Sequence, residues 1–325
     1  MKSRRQIINH SDGVYPYHLT QTCARNIFLC GYTPAGFNRD YRRRIIEKRM
    51  FFLHSVMAID IIAYGIQHNH YHLICLPNLE QAQAWSDTEV VKRWFCLHKP
   101  TTYPLIKQWY ESQHKQDKTT YVKRTIRQWR EQLTHISKMM GMLNYRIAVQ
   151  ANQEDKMTGS SFWEKRYKAK RLETQNGLLQ CMTYNDLNPV RAGIADTPEN
   201  SKHTSLYQRI HHDIKSTSDV IEGIPEFNYD RLRAYNIELK PLMPLKGWEN
   251  TSNEWGIPYD LDDYKTLVDW TGRAIRPDKR GAIDNTLPPI AQRLAPDQAS
   301  WLQAITQHDK LRHTCNKDSP PITPS

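Results

Sequence analysis

The sequence lacks paired cysteines, a long apolar run and an apolar leader. Its six cysteines are scattered without a Cys-x-x-Cys pair, which argues against a zinc ribbon. A chain of 325 residues is also too long for a small domain held together by disulfides. The N-terminal segment MKSRRQIINHSDG has no apolar core typical of a signal peptide. No stretch approaches the roughly 18 apolar residues that a membrane-spanning helix needs. We therefore expect a cytoplasmic protein with reduced thiols and no membrane partner.

Positive charge is unevenly distributed along the chain. The formal net charge is +11, and 39% of the residues are hydrophobic, which is enough for a core. Residues 1–216 carry 32 Lys and Arg against 18 Asp and Glu, whereas residues 217–270 carry 5 against 11. A basic front part followed by an acidic segment predicts a polyanionic partner that binds the front part. A generally basic, soluble surface explains the composition equally well.

Three segments have the composition of β-strands, and they are Tyr15–Thr20, Ala58–Gln67 and His70–Leu76. The last two are apolar on alternating and intervening positions, as expected of central strands. A tight turn at Asn69 would join them into a β-hairpin. Strands and helices mixed without a regular βαβ rhythm predict an α+β fold with an antiparallel sheet.

Helical patterns occupy much of the remaining chain. A helix is predicted from Asp40, and most of its basic side chains are expected to be solvated. Prolines and polar residues between Lys99 and Thr120 indicate a loop, and Asp196–Gly223 reads as polar and irregular. We expect a first domain over residues 1–200 with a helical and loop insertion at 79–150, followed by a largely helical extension over 201–325.

His70-Tyr71-His72 lies inside the second strand of the predicted β-hairpin. Because side chains alternate along a strand, both imidazoles face the same side and are close enough to share a metal ion. About 0.6 such pairs are expected by chance in a chain with 14 histidines, so the motif alone favours a structural role. His68 extends the alternation by one step, but its position before the turn favours His70 and His72 as ligands.

Tyr184 and Asn188 are one helical turn apart in the segment YNDLN. This spacing places both side chains on one face of a helix. A helical tyrosine is usually a packing residue, and an asparagine before proline usually caps a helix or forms a turn. Pro189 is expected to end the helix at Asn188. The segment alone therefore also favours a structural role.

Together, the two motifs combine a nucleophile with a metal site. A free phenol has a pKa near 10, so only about one molecule in a thousand is ionised at pH 7. A divalent cation offsets this cost by polarising a P–O bond. Two imidazoles and an amide oxygen suit Mg²⁺ or Mn²⁺ better than a closed zinc site. The combination predicts a tyrosine that becomes a 5′-phosphate ester while a 3′-hydroxyl leaves.

Four segments resemble one protein family. NHYHL at Asn69–Leu73 resembles the HUH motif of single-tyrosine transposases, in which U is a bulky hydrophobic residue. YNDLNPVRAG at Tyr184–Gly193 resembles the catalytic helix of REP-associated tyrosine transposases, and FWEKRYKAKRLE at Phe162–Glu173 resembles the stretch before it. VDWTGRAIRPDKRGAI at Val268–Ile283 resembles the C-terminal extension of that group's longer members. The resemblance covers nearly the whole chain.

This resemblance implies a transposase that cuts and rejoins single-stranded DNA, with a DNA hairpin as the recognised form. It implies a ferredoxin-like or RRM-like antiparallel sheet with helices packed on it. His70 and His72 would bind the metal, Tyr184 would be the nucleophile, and Asn188 would complete the coordination. His68 stands where the group often has a smaller or less basic residue, which leaves open which histidines coordinate. A homodimer, with the tyrosine acting across subunits, is compatible with the sequence.

A run of basic residues precedes the predicted catalytic helix, in the extended segment Phe162–Leu172. On a strand, Arg166, Lys168 and Lys170 would share one face and contact phosphates, and Arg171 is a further candidate for DNA binding. A solvated edge strand protected by charge is the competing interpretation.

Two other classes of protein stay open. The first is a domesticated DNA-binding module that keeps the fold without moving DNA. The second is a structural protein stabilised by zinc on His68, His70, His72 and a cysteine. Covalent capture of DNA that depends on Tyr184 would exclude both, whereas tightly held metal without nuclease activity would favour the zinc protein.

Overall fold

A four-stranded antiparallel sheet forms the centre of the computed structural model, which describes residues 14–24, 29–32, 36–112, 118–156, 161–221, 230–247 and 256–294. The strands are β1 (Tyr17–Thr22), β2 (Ile59–Ile66), β3 (His70–Pro77) and β4 (Lys168–Arg171), in the order β2-β3-β1-β4. Each neighbouring pair is antiparallel. The predicted α+β class with an antiparallel sheet is therefore confirmed.

Twelve α-helices accompany the sheet in the described ranges. They are α1 (Tyr41–Val56), α2 (Leu79–Ala84), α3 (Asp87–Leu97), α4 (Pro104–Glu111), α5 (Thr120–Gln132), α6 (Ile136–Glu154), α7 (Gln175–Arg191), α8 (Ser205–His211), α9 (Thr217–Ile221), α10 (Asp230–Ala234), α11 (Leu261–Arg273) and α12 (Ile290–Leu294). None of them has the length and apolar character needed to cross a membrane.

β3 lies between β2 and β1, so its side chains are enclosed by neighbours on both sides. In the register of the sheet, His72 is opposite Thr20 of β1 and Gly65 of β2. Residues 67–69 form the turn between β2 and β3, as predicted. All of β2 is buried because helices cover both faces of the sheet, which explains its continuous apolar sequence.

The first face of the sheet packs against α1 and α6. Leu19, Tyr64 and Leu73 belong to one buried core with Phe51 of α1 and Leu143 of α6. This core is the larger of the two and extends into α3 and α5, where the rings of two tryptophans stack 4.8 Å apart. The predicted insertion at residues 79–150 thus contains α6, which packs directly on the sheet, as well as α2–α5.

The second face of the sheet packs against α7, α8 and α11. Ile74 of β3 lies in a separate buried core with Leu187 of α7, Leu206 of α8 and Val268 of α11. α8 and α11 of the predicted extension therefore pack on the same helix as Tyr184, whereas α9 and α10 pack on α1 and α3. Residues 295–325 of that extension lie outside the described residues.

Two segments predicted to be irregular contain helices. Pro104, taken as a loop signal, is the first residue of α4, where its missing N–H and fixed φ favour a helix start. Ser205–His211 forms α8 within Asp196–Gly223, the segment predicted to be polar and irregular. Thr204 caps this helix by accepting a hydrogen bond from the backbone N–H of Tyr207 at 3.3 Å.

Most basic side chains of α1 are buried, so the prediction that they are solvated is wrong. Arg42 is only 3% exposed and forms ion pairs of 2.8 and 2.9 Å with Glu154 and Asp155. These two acids stand at the C-terminal end of α6, more than 100 residues along the chain. The partners that permit burial could not be identified from the local pattern of α1.

α7 continues through Pro189 to Arg191, so the prediction that the helix ends at Asn188 is wrong. Proline removes the helical hydrogen bond to the carbonyl of the residue four positions earlier, which is Asn185. That carbonyl faces β2, where a Cβ added to Gly65 would lie 3.0 Å from its oxygen. Because Gly65 has no side chain, the freed carbonyl can lie directly against the sheet and the helix is not interrupted.

Candidate functional site

The candidate site lies on the second face of the sheet, where β3 faces α7. The ring centroids of His70 and His72 are 4.8 Å apart, and the rings are perpendicular. The ring of Tyr184 stands edge-on to His72, with the centroids 5.5 Å apart. The structure thus brings Tyr184 beside a histidine pair that lies more than 110 positions earlier in the sequence.

β1 contributes two further side chains that contact His72. The ring of His18 stacks on His72 at 5.1 Å, and its Nε2 is 3.0 Å from Nδ1 of His72. The hydroxyl of Thr20 is 3.2 Å from the same Nδ1. These two residues were missed in the sequence. In the sequence they alternate with the apolar Tyr17 and Leu19, which indicates a strand. This alternation does not reveal that β1 pairs with β3.

The two ring nitrogens of His72 have different surroundings. When Nδ1 carries the proton and donates it to His18 or Thr20, Nε2 has a free lone pair. Nε2 is buried and has no hydrogen-bond partner. Burial, together with the neighbouring His70 and His18, lowers the pKa of His72 to about 3. The ring is therefore neutral at neutral pH, as a metal ligand must be.

His70 has the same arrangement of its ring nitrogens. Its Nδ1 is 2.7 Å from Oδ1 of Asn69, which can only accept a hydrogen bond, so Nδ1 donates and Nε2 is left as the acceptor. Burial lowers the pKa of His70. Two neutral imidazoles with available Nε2 atoms on one face of β3 are suited to holding a divalent metal.

Asn188 lies one turn after Tyr184 on α7 and is partly buried. Its amide nitrogen is buried without a hydrogen-bond partner. Since the amide oxygen and nitrogen are exchanged by a simple flip, the oxygen can occupy this position. Within the described ranges, no three His, Cys, Asp or Glu side chains converge as a metal ligand set. The oxygen donor of Asn188 and the two imidazoles would form a mixed set of the kind that leaves positions open for phosphate oxygens around Mg²⁺ or Mn²⁺.

His68 has a separate location. A Cβ added to Gly31 would lie 2.5 Å from the His68 ring, so this imidazole packs against the backbone of residue 31. The carbonyl of His68 accepts a hydrogen bond of 2.9 Å from the backbone N–H of Cys30. This location favours His70 and His72 as the coordinating pair.

Lys168 and Lys170 are exposed on β4, on the same face of the sheet as His72. In the register, Lys168 is opposite Thr20 and Lys170 is opposite His18. Burial lowers the pKa of His18, and the positive charge of Lys170 lowers it further. The two lysines therefore add positive charge beside the neutral histidines, at the edge of the sheet.

The other two predicted DNA-binding residues are placed differently. Arg166 precedes β4, which covers only Lys168–Arg171 of the segment predicted to be extended, so it does not share the strand face. Arg171 is on the opposite face from Lys170 by strand alternation. Its guanidinium lies 4.4 Å from the ring centroid of Tyr15 and pairs with Glu173 at 2.6 Å.

Tyr184 is 44% exposed, so its side chain is accessible from solvent. The helix that contains it, α7, begins at a cap in which the Thr174 hydroxyl accepts a hydrogen bond from the N–H of Gly177 at 3.0 Å. The arrangement can present a phenol to a phosphodiester beside a pair of metal-binding imidazoles. No protein-family model, curated protein or solved structure was found to match this chain.

Proposed function

We propose that this chain is a metal-dependent single-tyrosine HUH transposase, which cuts single-stranded DNA and transfers the cut strand. The placement of Tyr184 beside His72 and His70 carries this proposal. The strand order β2-β3-β1-β4, with α1 between β1 and β2 and α6 between β3 and β4, supports a ferredoxin-like arrangement. Two of the motifs that resemble single-tyrosine transposases, NHYHL and YNDLNPVRAG, contain these histidines and this tyrosine.

Tyr184 supplies the nucleophile. Its Oη attacks the scissile phosphorus, an Oη–P bond forms, and the bond between phosphorus and the 3′-oxygen breaks. The phenol loses its proton and the departing 3′-oxygen gains one. A second 3′-hydroxyl then attacks the phosphotyrosine, which restores the phenol and joins a new strand.

His70, His72 and Asn188 are the residues that would hold Mg²⁺ or Mn²⁺. The bound cation would polarise the scissile phosphate and neutralise charge in the transition state. His18 and Thr20 hold the orientation of His72 through its Nδ1, and Nε2 is the metal-binding nitrogen when Nδ1 carries the proton.

Lys168 and Lys170 would contact the DNA backbone. Their side chains share the face of the sheet that contains the histidines, and phosphate contacts from such a face set the position of a strand without reading its sequence. A DNA hairpin next to the cleavage site is the proposed substrate, recognised by its shape and its flanking bases.

Covalent capture of DNA tests the proposal. The purified protein would be incubated with labelled single-stranded hairpins drawn from the DNA that flanks its gene, with Mg²⁺, Mn²⁺ or EDTA. We expect a slower band on a denaturing gel that needs metal and is lost in Tyr184→Phe. Tyr145→Phe, at an exposed tyrosine of α6, is the matched control and should retain the band. DNA binding without a covalent product for any metal or hairpin would contradict the proposal and favour a domesticated DNA-binding module.

A further inference from the structure

A cavity of about 160 Å³ is lined by Pro189, which directly follows the predicted metal ligand Asn188. Four parts of the chain enclose it. They are the start of α1, the end of β2, the segment that includes and follows Pro189, and the turn that precedes α8. The cavity is a separate feature from the surface around Tyr184, and none of the residues assigned to catalysis lines it.

Two buried side chains in the cavity wall have hydrogen-bond donors without acceptors. Gln67 is 5% exposed, and its Nε2 has no partner. Arg43 is 8% exposed, and its Nε and Nη2 have no partner. The Nη1 of Arg43 pairs with Oδ1 of Asp40 at 2.7 Å, so one side of the guanidinium is neutralised and the other side is left available. Buried donors are normally satisfied, so these three donor nitrogens are suited to an acceptor within the cavity.

The chemistry of the donors defines the ligand that they fit. A guanidinium presents its N–H groups in a planar fork that matches the oxygens of a phosphate, and an amide N–H adds a neutral donor. Lys202 is exposed in the cavity wall and adds positive charge. We infer that this cavity binds a phosphate group, held by Arg43 and Gln67.

The other ionisable groups near the cavity are already engaged. Asp40 is paired with Arg43. His203 also lines the cavity. Its Nδ1 is 3.0 Å from Oε2 of the buried Glu47, so this ring nitrogen already has a hydrogen-bond partner. The donors of Arg43 and Gln67 therefore remain for an external oxyanion.

The position of the cavity identifies which phosphate it holds, and this step rests on the proposed function. Gln67 adjoins the predicted metal ligands, since its backbone N–H donates to the carbonyl of His70 at 2.8 Å. Pro189 in the cavity wall directly follows Asn188. These two adjacencies would bring another phosphate of the bound strand to the cavity. The cavity would then fix the register of the cleaved strand.

Binding of inorganic phosphate tests the site itself. Calorimetric titrations at constant ionic strength would compare the wild type with Gln67→Met, which keeps the length of the side chain and removes its donors. We expect binding about tenfold weaker in the variant, the loss of one hydrogen bond to a charged group. The unliganded Gln67→Met protein should unfold at the same or higher urea concentration, because an unsatisfied donor is removed. Gln108→Met, exposed on α4, should bind phosphate like the wild type.

A second variant tests Arg43, the other residue proposed to hold the phosphate. Arg43→Lys keeps the charge near Asp40 but removes the planar fork, and it should weaken phosphate binding to a similar degree. Phosphate binding that is equally tight in the wild type, Gln67→Met and Arg43→Lys, or absent from all three, would overturn the inference.

Binding experiments with DNA distinguish a phosphate of the DNA strand from free inorganic phosphate as the ligand. Single-stranded oligonucleotides would carry one neutral methylphosphonate at each position in turn. At one position we expect the substitution to weaken binding to the wild type about tenfold, with no further loss in Gln67→Met. If no position depends on Gln67 although inorganic phosphate does, the ligand is a free phosphate and the assignment to the strand is wrong. If DNA does not bind at all, the proposed function fails while the phosphate site stands.

Discussion

Tyr264 donates a hydrogen bond of 2.6 Å from its hydroxyl to Oδ2 of Asp186, two residues after Tyr184 on α7. The other carboxylate oxygen of Asp186 accepts hydrogen bonds from the Ser205 hydroxyl at 2.7 Å and the Leu206 N–H at 2.9 Å. Burial raises the pKa of Asp186, and these donors oppose that effect. One buried carboxyl group therefore ties the helix of the proposed nucleophile to α8 and α11.

Removing this hydrogen bond should loosen α7. We expect Tyr264→Phe to lower the free energy of unfolding by about 1–3 kcal/mol, because a buried carboxyl group loses a donor. Urea denaturation monitored by fluorescence would measure the change. Tyr145→Phe removes a hydroxyl from an exposed tyrosine and should change stability by less than about 0.5 kcal/mol. Equal stabilities of the two variants would show that the Tyr264 hydrogen bond does not hold α11 on α7.

The close approach of α7 to the sheet should depend on Gly65. A Cβ at this position would meet the Asn185 carbonyl oxygen at 3.0 Å, and this oxygen belongs to the backbone of α7 rather than to a flexible side chain. We expect Gly65→Ala to destabilise the protein by about 1–3 kcal/mol. Gly141 of α6 is the matched control, since a Cβ there would meet nothing within 4 Å. Gly141→Ala should stabilise the helix by about 0.5–1 kcal/mol. Thermal or urea unfolding of both variants would show whether the two changes in stability have opposite signs.

Parts of this structure follow from local sequence, and parts do not. The β2–β3 hairpin and the single-face placement of His70 and His72 were predicted because strand alternation is a local property. The contact between His18 and His72 depends on the pairing of β1 with β3, which no local pattern specifies. The same limit explains the buried Arg42, whose acidic partners lie at the far end of α6.

The error at Pro189 has a similar cause. The local rule for proline is sound, since one helical hydrogen bond is lost. Its consequence was misjudged because the freed carbonyl of Asn185 faces Gly65, more than 100 residues earlier in the chain. A break in a helix depends on where the freed group can go, and that is a tertiary property.

His18 should act as a positioning residue for His72. His18→Phe retains a ring that can stack and removes the nitrogen that contacts Nδ1 of His72. We expect the metal concentration for half-maximal DNA capture to rise roughly 10–100-fold, as for other outer-shell partners of metal ligands. Binding of DNA in EDTA should be unchanged, which separates this effect from lost DNA contacts. An unaltered metal dependence would show that His18 does not orient His72.

Lys168 and Lys170 should contribute to DNA binding through phosphate contacts. The double variant Lys168→Gln, Lys170→Gln should bind single-stranded DNA more weakly, and the slope of log K against log salt should fall by about 1.4. Arg171, on the opposite face of β4 and paired with Glu173, should have little effect when changed to Gln. Fluorescence anisotropy over a range of salt concentrations would measure all three proteins. If Arg171→Gln weakened DNA binding more than the double variant does, DNA would bind on the opposite face of the sheet.

The central claim is that Tyr184 forms the covalent bond to DNA, and mass spectrometry of the trapped complex tests it most directly. Trypsin cleaves after Arg171 and Arg191, and the peptide between these sites contains Tyr184 as its single tyrosine. After nuclease digestion of the DNA, fragment ions of this peptide should place a 5′-linked nucleotide on Tyr184, in samples with Mg²⁺ or Mn²⁺ and not with EDTA. A nucleotide on another residue, or an unmodified peptide from DNA-bound protein in the presence of metal, would contradict the proposed chemistry.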